Sequence, residues 1–330
     1  MVLPVVYVDL PRALEAELFG DGIEQKLRGI GRLVRRGDGS VDGDSDARLR
    51  AEVLITGWGS APLPERLGLE DRLRLVVHSA GTIRALAPQG LLSSGVRVSQ
   101  ASAGMAQSVA ELALYMTIAR LRDLDRIDRA MAGAHDWTGA DFGLGRTLAG
   151  ATVGVVGASR VGRAYLRLVV AAGSDVLVYD PYLDDQEAKS LGARLVPLET
   201  LLSQSVVVAL HAPVREETRH MLDAQTLALI PDGGLVINTA RAALLDTDAL
   251  LAEVRSGRLS AAVDVFDEEP LPPDSEWWQL PNVLLTPHLG ARTWHSRRTQ
   301  GAIVIDEIRR YLNGLDLRHE VLPDTYDLMA

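Results

Sequence analysis

From residue 151 onward, short apolar runs alternate with helical stretches, and the first run ends in Gly157-Ala158-Ser159-Arg160-Val161-Gly162. Few arrangements satisfy such a rhythm. Parallel strands cannot be joined by a hairpin, so each pair needs a crossover, usually a helix of fixed hand. The spacing predicts strands at 151–157, 175–179, 206–210, 235–238, 261–265 and 283–285, with helices at 161–172, 223–229 and 247–256. This is the pattern of a doubly wound parallel sheet in an α/β fold.

The first hundred residues repeat the theme less regularly. Strands are expected at 5–8, 32–34, 53–55, 73–77 and 96–98, and a helix at 88–93. One long helix is expected from 105 to 131, since Val109, Leu112, Ala113, Met116 and Ala119 fall at helical spacing. A glycine-rich stretch, 133–150, follows it, and a final helix is expected at 292–313. The 330 residues fit about two domains.

Composition removes several functions. A net charge of -10 opposes a nucleic-acid partner, which needs a basic footprint. Cysteine is absent, which excludes disulfides, thiolate catalysis and cysteine-based metal sites. The apolar segment 2–8 lacks a cationic lead and stops at Asp9, so it is expected to be a strand and not a leader peptide. No apolar run approaches the ~20 residues that span a bilayer. The expectation is a soluble, cytoplasmic protein with no membrane partner. Asp42, Asp44 and Asp46 mimic the start of a calcium loop, but Ala47 and Val53 occupy its glycine and glutamate positions, so no metal site is expected.

In a dinucleotide fingerprint three glycines permit the tight turn, the approach of the pyrophosphate and the packing of helix on strand. Here Gly157 and Gly162 are present, but Ser159 takes the second position. Such a turn also suits a purely structural connection. Asp180, at the end of the next strand, favours the cofactor reading. Its carboxylate can bind ribose hydroxyls and would repel a 2′-phosphate, so NAD is expected over NADP. Arg241, Glu269 and His288 follow three later strands, where ligands sit in open α/β sheets. Arginine can grip a carboxylate with two prongs, histidine can move a proton near neutrality, and a carboxylate beside it favours the protonated ring. Chemistry alone does not rank Asp267, Glu268, Glu269 and Asp274 as that carboxylate.

The strings Asn238-Thr239-Ala240-Arg241, Asp264-Val265-Phe266 through Glu269-Pro270, and Thr286-Pro287-His288 resemble the D-isomer-specific 2-hydroxyacid dehydrogenase family. Leu210-His211-Ala212-Pro213 with Thr218, and Val109-Ala110-Glu111, support the likeness, which covers nearly the whole chain. The resemblance implies a Rossmann NAD-binding domain at 104–292, inserted in a flavodoxin-like substrate domain formed by 1–103 and 293–330. It implies NAD-dependent hydride transfer between a 2-keto acid and its D-2-hydroxy acid. Arg241 would bind the carboxylate and carbonyl, and His288 with Glu269 would form the acid/base pair. Amides of Arg160 and Val161 would hold the pyrophosphate, and Asp264 would meet the nicotinamide carboxamide. His211, Ala212, Pro213, Thr218, Thr239, Ala240 and Gly290 would complete the cofactor surface, while Ala80-Gly81-Thr82 would cradle the substrate. A homodimer joined through the helix after Met105 is also implied. Ser159, Ala242, the Gln100 to Met105 stretch and the loop Ser79 to Arg84 depart from the family pattern. Two alternatives stay open: a dinucleotide-sensing corepressor, and a relative acting on formate or phosphite. The absence of an appended interaction segment weighs against the first, and Glu269 beside a histidine weighs against formate.

Overall fold

Short strands buried nearly throughout build two parallel sheets, each covered on both faces. The computed structural model describes residues 3–27, 31–36, 47–81, 83–135, 137 and 143–328; Asp42, Asp44, Asp46 and Thr82 lie outside them. The chain divides into two compact units, Met1–Met105 with Arg292–Ala330, and Ala106–Ala291.

The first unit holds β1 (Val5–Asp9), β2 (Arg32–Arg35), β3 (Val53–Thr56), β4 (Leu75–His78) and β5 (Arg97–Gln100), in the order β2-β1-β3-β4-β5. That order is the flavodoxin-like one. Val6, Val8, Val53 and Ile55 enter one core with Leu18, Phe19 and Ile308, while Tyr7, Leu54 and Val76 enter another with Leu91 and Tyr326. The period-two alternation buries both faces, which is why these strands read as nearly unbroken apolar runs. Asp9, Thr56, His78 and Gln100 stand side by side at the carboxyl edge. The chain leaves β4 there as Ser79-Ala80-Gly81, with Gln300 donating from Nε2 to the Ser79 carbonyl at 2.7 Å.

The second unit holds β6 (Thr152–Val156), β7 (Asp175–Tyr179), β8 (Arg194–Leu195), β9 (Val207–Leu210), β10 (Gly234–Asn238), β11 (Leu259–Val263) and β12 (Val283–Leu285). Their order is β12-β11-β10-β9-β6-β7-β8. The chain runs outward from β6 through β7 and β8, then returns to β9 on the other flank. Strand order therefore reverses between β6 and β9, and the loops after these two strands border the crevice where such sheets take ligands. Val153, Val155, Val178 and Ala209 face a core with Tyr165, Leu166 and Met116, and Val156, Leu177, Val208 and Leu210 face Leu201, Leu250 and Val254.

The single helix expected from 105 to 131 is two, Ala106–Leu121 and Leu124–Ala134. Asp123, with φ 52°, turns the chain in the left-handed region that aspartate enters more readily than most residues. The buried Arg120 guanidinium spans the break, reaching Asp123 at 3.1 Å and Asp125 at 2.8 Å. Apolar spacing continues through Leu121, Leu124 and Ile127, so periodicity alone conceals the interruption.

Candidate active site

Gly157 ends β6 with φ 97°, and a Cβ there would lie 2.5 Å from the Ala212 nitrogen. One on Gly162 would lie 2.0 Å from the Gly157 carbonyl oxygen, so the helix Arg160–Ala171 can sit this close to the strand only with glycine at both positions. Ser159 is that helix's N-cap, its hydroxyl accepting from the Gly162 amide at 3.3 Å. The serine replacing the second fingerprint glycine therefore does capping work, in an extended conformation any residue can adopt. A capped helix start directs its first-turn N–H groups and positive dipole end outward, which suits a pyrophosphate. Asp180 accepts from the Ala158 amide at 2.7 Å and from the Tyr182 amide at 2.8 Å. Its charge thus stands against the glycine turn, with lone pairs remaining for a ribose. The cradle fits a dinucleotide.

The loop after β9 borders the same crevice. Thr218 shapes it, donating to the Pro213 carbonyl at 2.7 Å and accepting from the Arg215 amide at 2.8 Å. The His211 side chain points inward and lies 5.0 Å from the Tyr165 ring. Among the described residues neither ring nitrogen has a hydrogen-bond partner. The backbone and Ala212-Pro213 are what this segment can offer a cofactor. Burial pushes the His211 imidazole down to about 3. Its ordinary value is about 6.5, so between these limits the unfolded chain binds a proton that the folded chain refuses. Stability contributed by the neutral ring is complete above pH ~6.5 and is lost as pH falls toward 3, by a few kcal/mol at about pH 4. Thermal melts of His211→Leu from pH 7 to 4 should show a flatter acid limb than the parent. Parallel acid limbs would assign the loss to other groups.

Beyond β10, Asn238 closes a local turn. Its Oδ1 accepts from the Ala240 amide at 3.1 Å and its Nδ2 donates to the Arg241 carbonyl at 2.8 Å. Asparagine at a strand end is suited to such self-bonding, and this turn presents Arg241. Thr239 is buried, with its hydroxyl unpartnered among the described residues. Burial lowers the proton affinity of Arg241, and the charge of Glu269 opposes that. Glu269 accepts from the Phe266 amide at 3.0 Å through Oε1 and meets His288 Nδ1 at 2.8 Å through Oε2. Burial alone would raise the Glu269 pKa. The hydrogen bond from His288, the Phe266 amide and the charges of His288 and Arg241 outweigh it and hold the pKa below the usual glutamate value. An ionised carboxylate only accepts, so Nδ1 carries hydrogen and Nε2 is left to exchange a proton with a ligand. Asp267 instead accepts from Thr247 Oγ1 at 2.6 Å. Geometry thus ranks the acids that chemistry left level.

His288 is exposed, with φ 51°. Left-handed backbone costs a non-glycine residue roughly 1–2 kcal/mol, so its turn must be held from outside. Asp264, buried immediately after β11, receives the Gly290 amide at 2.9 Å. Asn238, Phe266 and Thr286 stand within the strings that carry the resemblance, but sequence reasoning gave them no role; Asn238 closes the Arg241 turn, the Phe266 amide bonds Glu269 and Thr286 bonds Asp264. Ala80 and Gly81 belong to the first unit, at the carboxyl end of β4. Among the described residues there is no cluster of three or more His, Asp or Glu that could hold a metal, and no helix is long and apolar enough to cross a membrane.

A doubly wound sheet with a capped glycine turn at its switch point defines a dinucleotide-binding unit. Residues 114–290 match the family model described as D-isomer specific 2-hydroxyacid dehydrogenase, NAD binding domain. The chain belongs to the D-isomer specific 2-hydroxyacid dehydrogenase family and carries its NAD-binding domain. It is 32% identical over 294 residues to D-3-phosphoglycerate dehydrogenase of Mycobacterium leprae (strain TN), covering 87% of this chain and 54% of that one. It is 32% identical over 266 residues to hydroxypyruvate reductase of Thermotoga maritima, covering 79% and 85%. The chain spans about half the length of the phosphoglycerate dehydrogenases it matches. D-mandelate dehydrogenase of Rhodotorula graminis shares the fold, with a TM-score of 0.81 at 24% identity, covering 97% of this chain and 98% of that one.

Proposed function

We propose that this protein is an NAD-dependent 2-keto acid reductase that interconverts a 2-keto acid and its D-2-hydroxy acid. The observation that carries the reading is the 2.8 Å contact of His288 with an ionised Glu269, to which Arg241 is coupled by charge. Bound at the glycine turn, NAD(H) supplies the hydride chemistry. Amides at Arg160 and Val161 would hold the pyrophosphate, and Asp180 would hold the ribose. The loop 211–218, Thr239, Ala240, Asp264 and Gly290 would border the rest of the cofactor. Arg241 grips the substrate carboxylate and stabilises charge on the carbonyl oxygen, and His288 delivers the proton from Nε2. Hydroxypyruvate reductase and glyoxylate reductase, both named for small 2-keto acids, are among the relatives. We also propose a homodimer joined through Ala106–Leu121, where Tyr115 and Ile118 expose apolar surface.

The test is NADH oxidation across glyoxylate, hydroxypyruvate, pyruvate and bulkier 2-keto acids, repeated with NADPH. At least one acid should turn over, and NADH should be the better cofactor because Asp180 repels a 2′-phosphate. No turnover with any acid would sink the function, and a preference for NADPH would sink the Asp180 assignment.

The pairing has its own signature. His288 donates the proton, and Glu269 holds its ring through Nδ1. Glu269 stays ionised across the neutral range, because its pKa is held below the usual glutamate value. Glu269→Gln leaves no carboxylate to titrate, so kcat/KM should fall and its acid limb, set by the Glu269 pKa, should flatten, with NADH affinity unchanged. An identical limb in a folded variant would break the pairing.

A further inference from the structure

Asp264 is the one carboxylate of the site that is fully buried, and its oxygens hold the turn that carries His288. Its Oδ1 accepts from Thr286 Oγ1 at 2.5 Å and from the Leu289 amide at 2.7 Å, and its Oδ2 accepts from the Gly290 amide at 2.9 Å. These donors flank His288 on both sides. The turn itself is closed by the His288 amide donating to the Thr286 carbonyl at 3.0 Å, with His288 in left-handed backbone. Asp264 is in turn locked to the sheet, its own amide donating to the Asn238 carbonyl at 2.9 Å. The Thr286 amide donates to Val263 at 3.0 Å. Asp264 thus ties the β12 exit and the strained histidine through its carboxylate, and the β10 exit through its backbone amide.

We propose that Asp264 is a positioning residue that acts through His288, fixing the imidazole against Glu269. This rests on the acid/base reading of that pair and goes beyond the cofactor contact the family resemblance implies. Three donors occupy most of what the two oxygens can accept. An asparagine keeps the shape, but its NH2 must face at least one N–H or O–H donor, so a bond is lost along with the charge.

Asp264→Asn should lower kcat for 2-keto acid reduction roughly 10- to 100-fold, the usual cost of losing an outer support of a reactive side chain. Any change in NADH affinity, read by fluorescence titration, should be smaller than the loss in kcat. In a His288→Ala background the same change should alter the residual rate by less than about threefold, because a residue acting through His288 has nothing left to act on. Thr286→Val, which removes a single donor, should give a smaller loss of the same kind and guards against a variant that fails to fold. A second readout needs no turnover. In the holoprotein, Glu269→Gln should shift the imidazole resonances of His288 with Asp264 intact, and should barely shift them in Asp264→Asn. Equal rate losses from Asp264→Asn with and without His288, or NADH affinity weakened tenfold or more with kcat preserved, would overturn the proposal. So would an undiminished response of His288 to Glu269→Gln. If the parent reduces no 2-keto acid, the functional reading fails, and the resonance experiment still decides the positioning role.

Discussion

Replacing His288 by alanine is expected to lower kcat for 2-keto acid reduction by roughly 10²- to 10⁴-fold, the range of a positioned general acid. NADH binding should hold, because the glycine turn at Gly157, the Ser159 cap and Asp180 lie on other strand ends. The left-handed backbone of His288 bears on that reading, since alanine enters this region less readily than histidine does. His288→Asn resolves this. Asparagine enters that region with less strain, so the turn is preserved while the proton donor is gone. Both variants should therefore be equally poor catalysts, with the asparagine form the more stable in thermal melts. Recovery of most activity in His288→Asn would mean that the turn matters and the imidazole does not.

Much of this site was legible because strand ends carry it. Strands 175–179 and 283–285 were read with the bounds they have, since Val176, Leu177 and Val178 are buried on both faces and form an unbroken apolar run. Once the strands were placed, Arg241, Glu269 and His288 fell at their carboxyl ends. What stayed hidden depends on single-residue geometry. The break at Asp123 leaves the apolar spacing intact. β8 is only Arg194–Leu195, too short to carry a period. Ser159 looked like a defect in a glycine pattern because capping depends on a hydroxyl reaching one amide, which spacing does not encode. Chemistry alone left Glu269 level with Asp267; the resemblance chose Glu269, whose 2.8 Å contact is with a residue on another loop.

Arg241→Ala should lower kcat/KM by at least about 10²- to 10³-fold, the scale of removing one donor aimed at developing charge. Two parts of that loss separate kinetically. Grip on the substrate carboxylate exists before reaction, so its removal raises KM; stabilisation of the carbonyl oxygen grows during reaction, so its removal lowers kcat. Both should change. Arg241→Lys should restore little, because an ammonium cannot match the two-pronged geometry of the guanidinium. A third consequence follows from the coupling to Glu269. The charge of Arg241 is one of the influences depressing the Glu269 pKa, so its loss lets that pKa rise. Catalysis needs the ionised carboxylate beside His288, and activity is lost as pH falls through the Glu269 pKa. The acid limb of kcat/KM should therefore move to higher pH in Arg241→Ala, whereas Glu269→Gln flattens it. A variant whose KM alone rises, with kcat and the acid limb unchanged, would reduce Arg241 to a binding residue and remove it from the charge network.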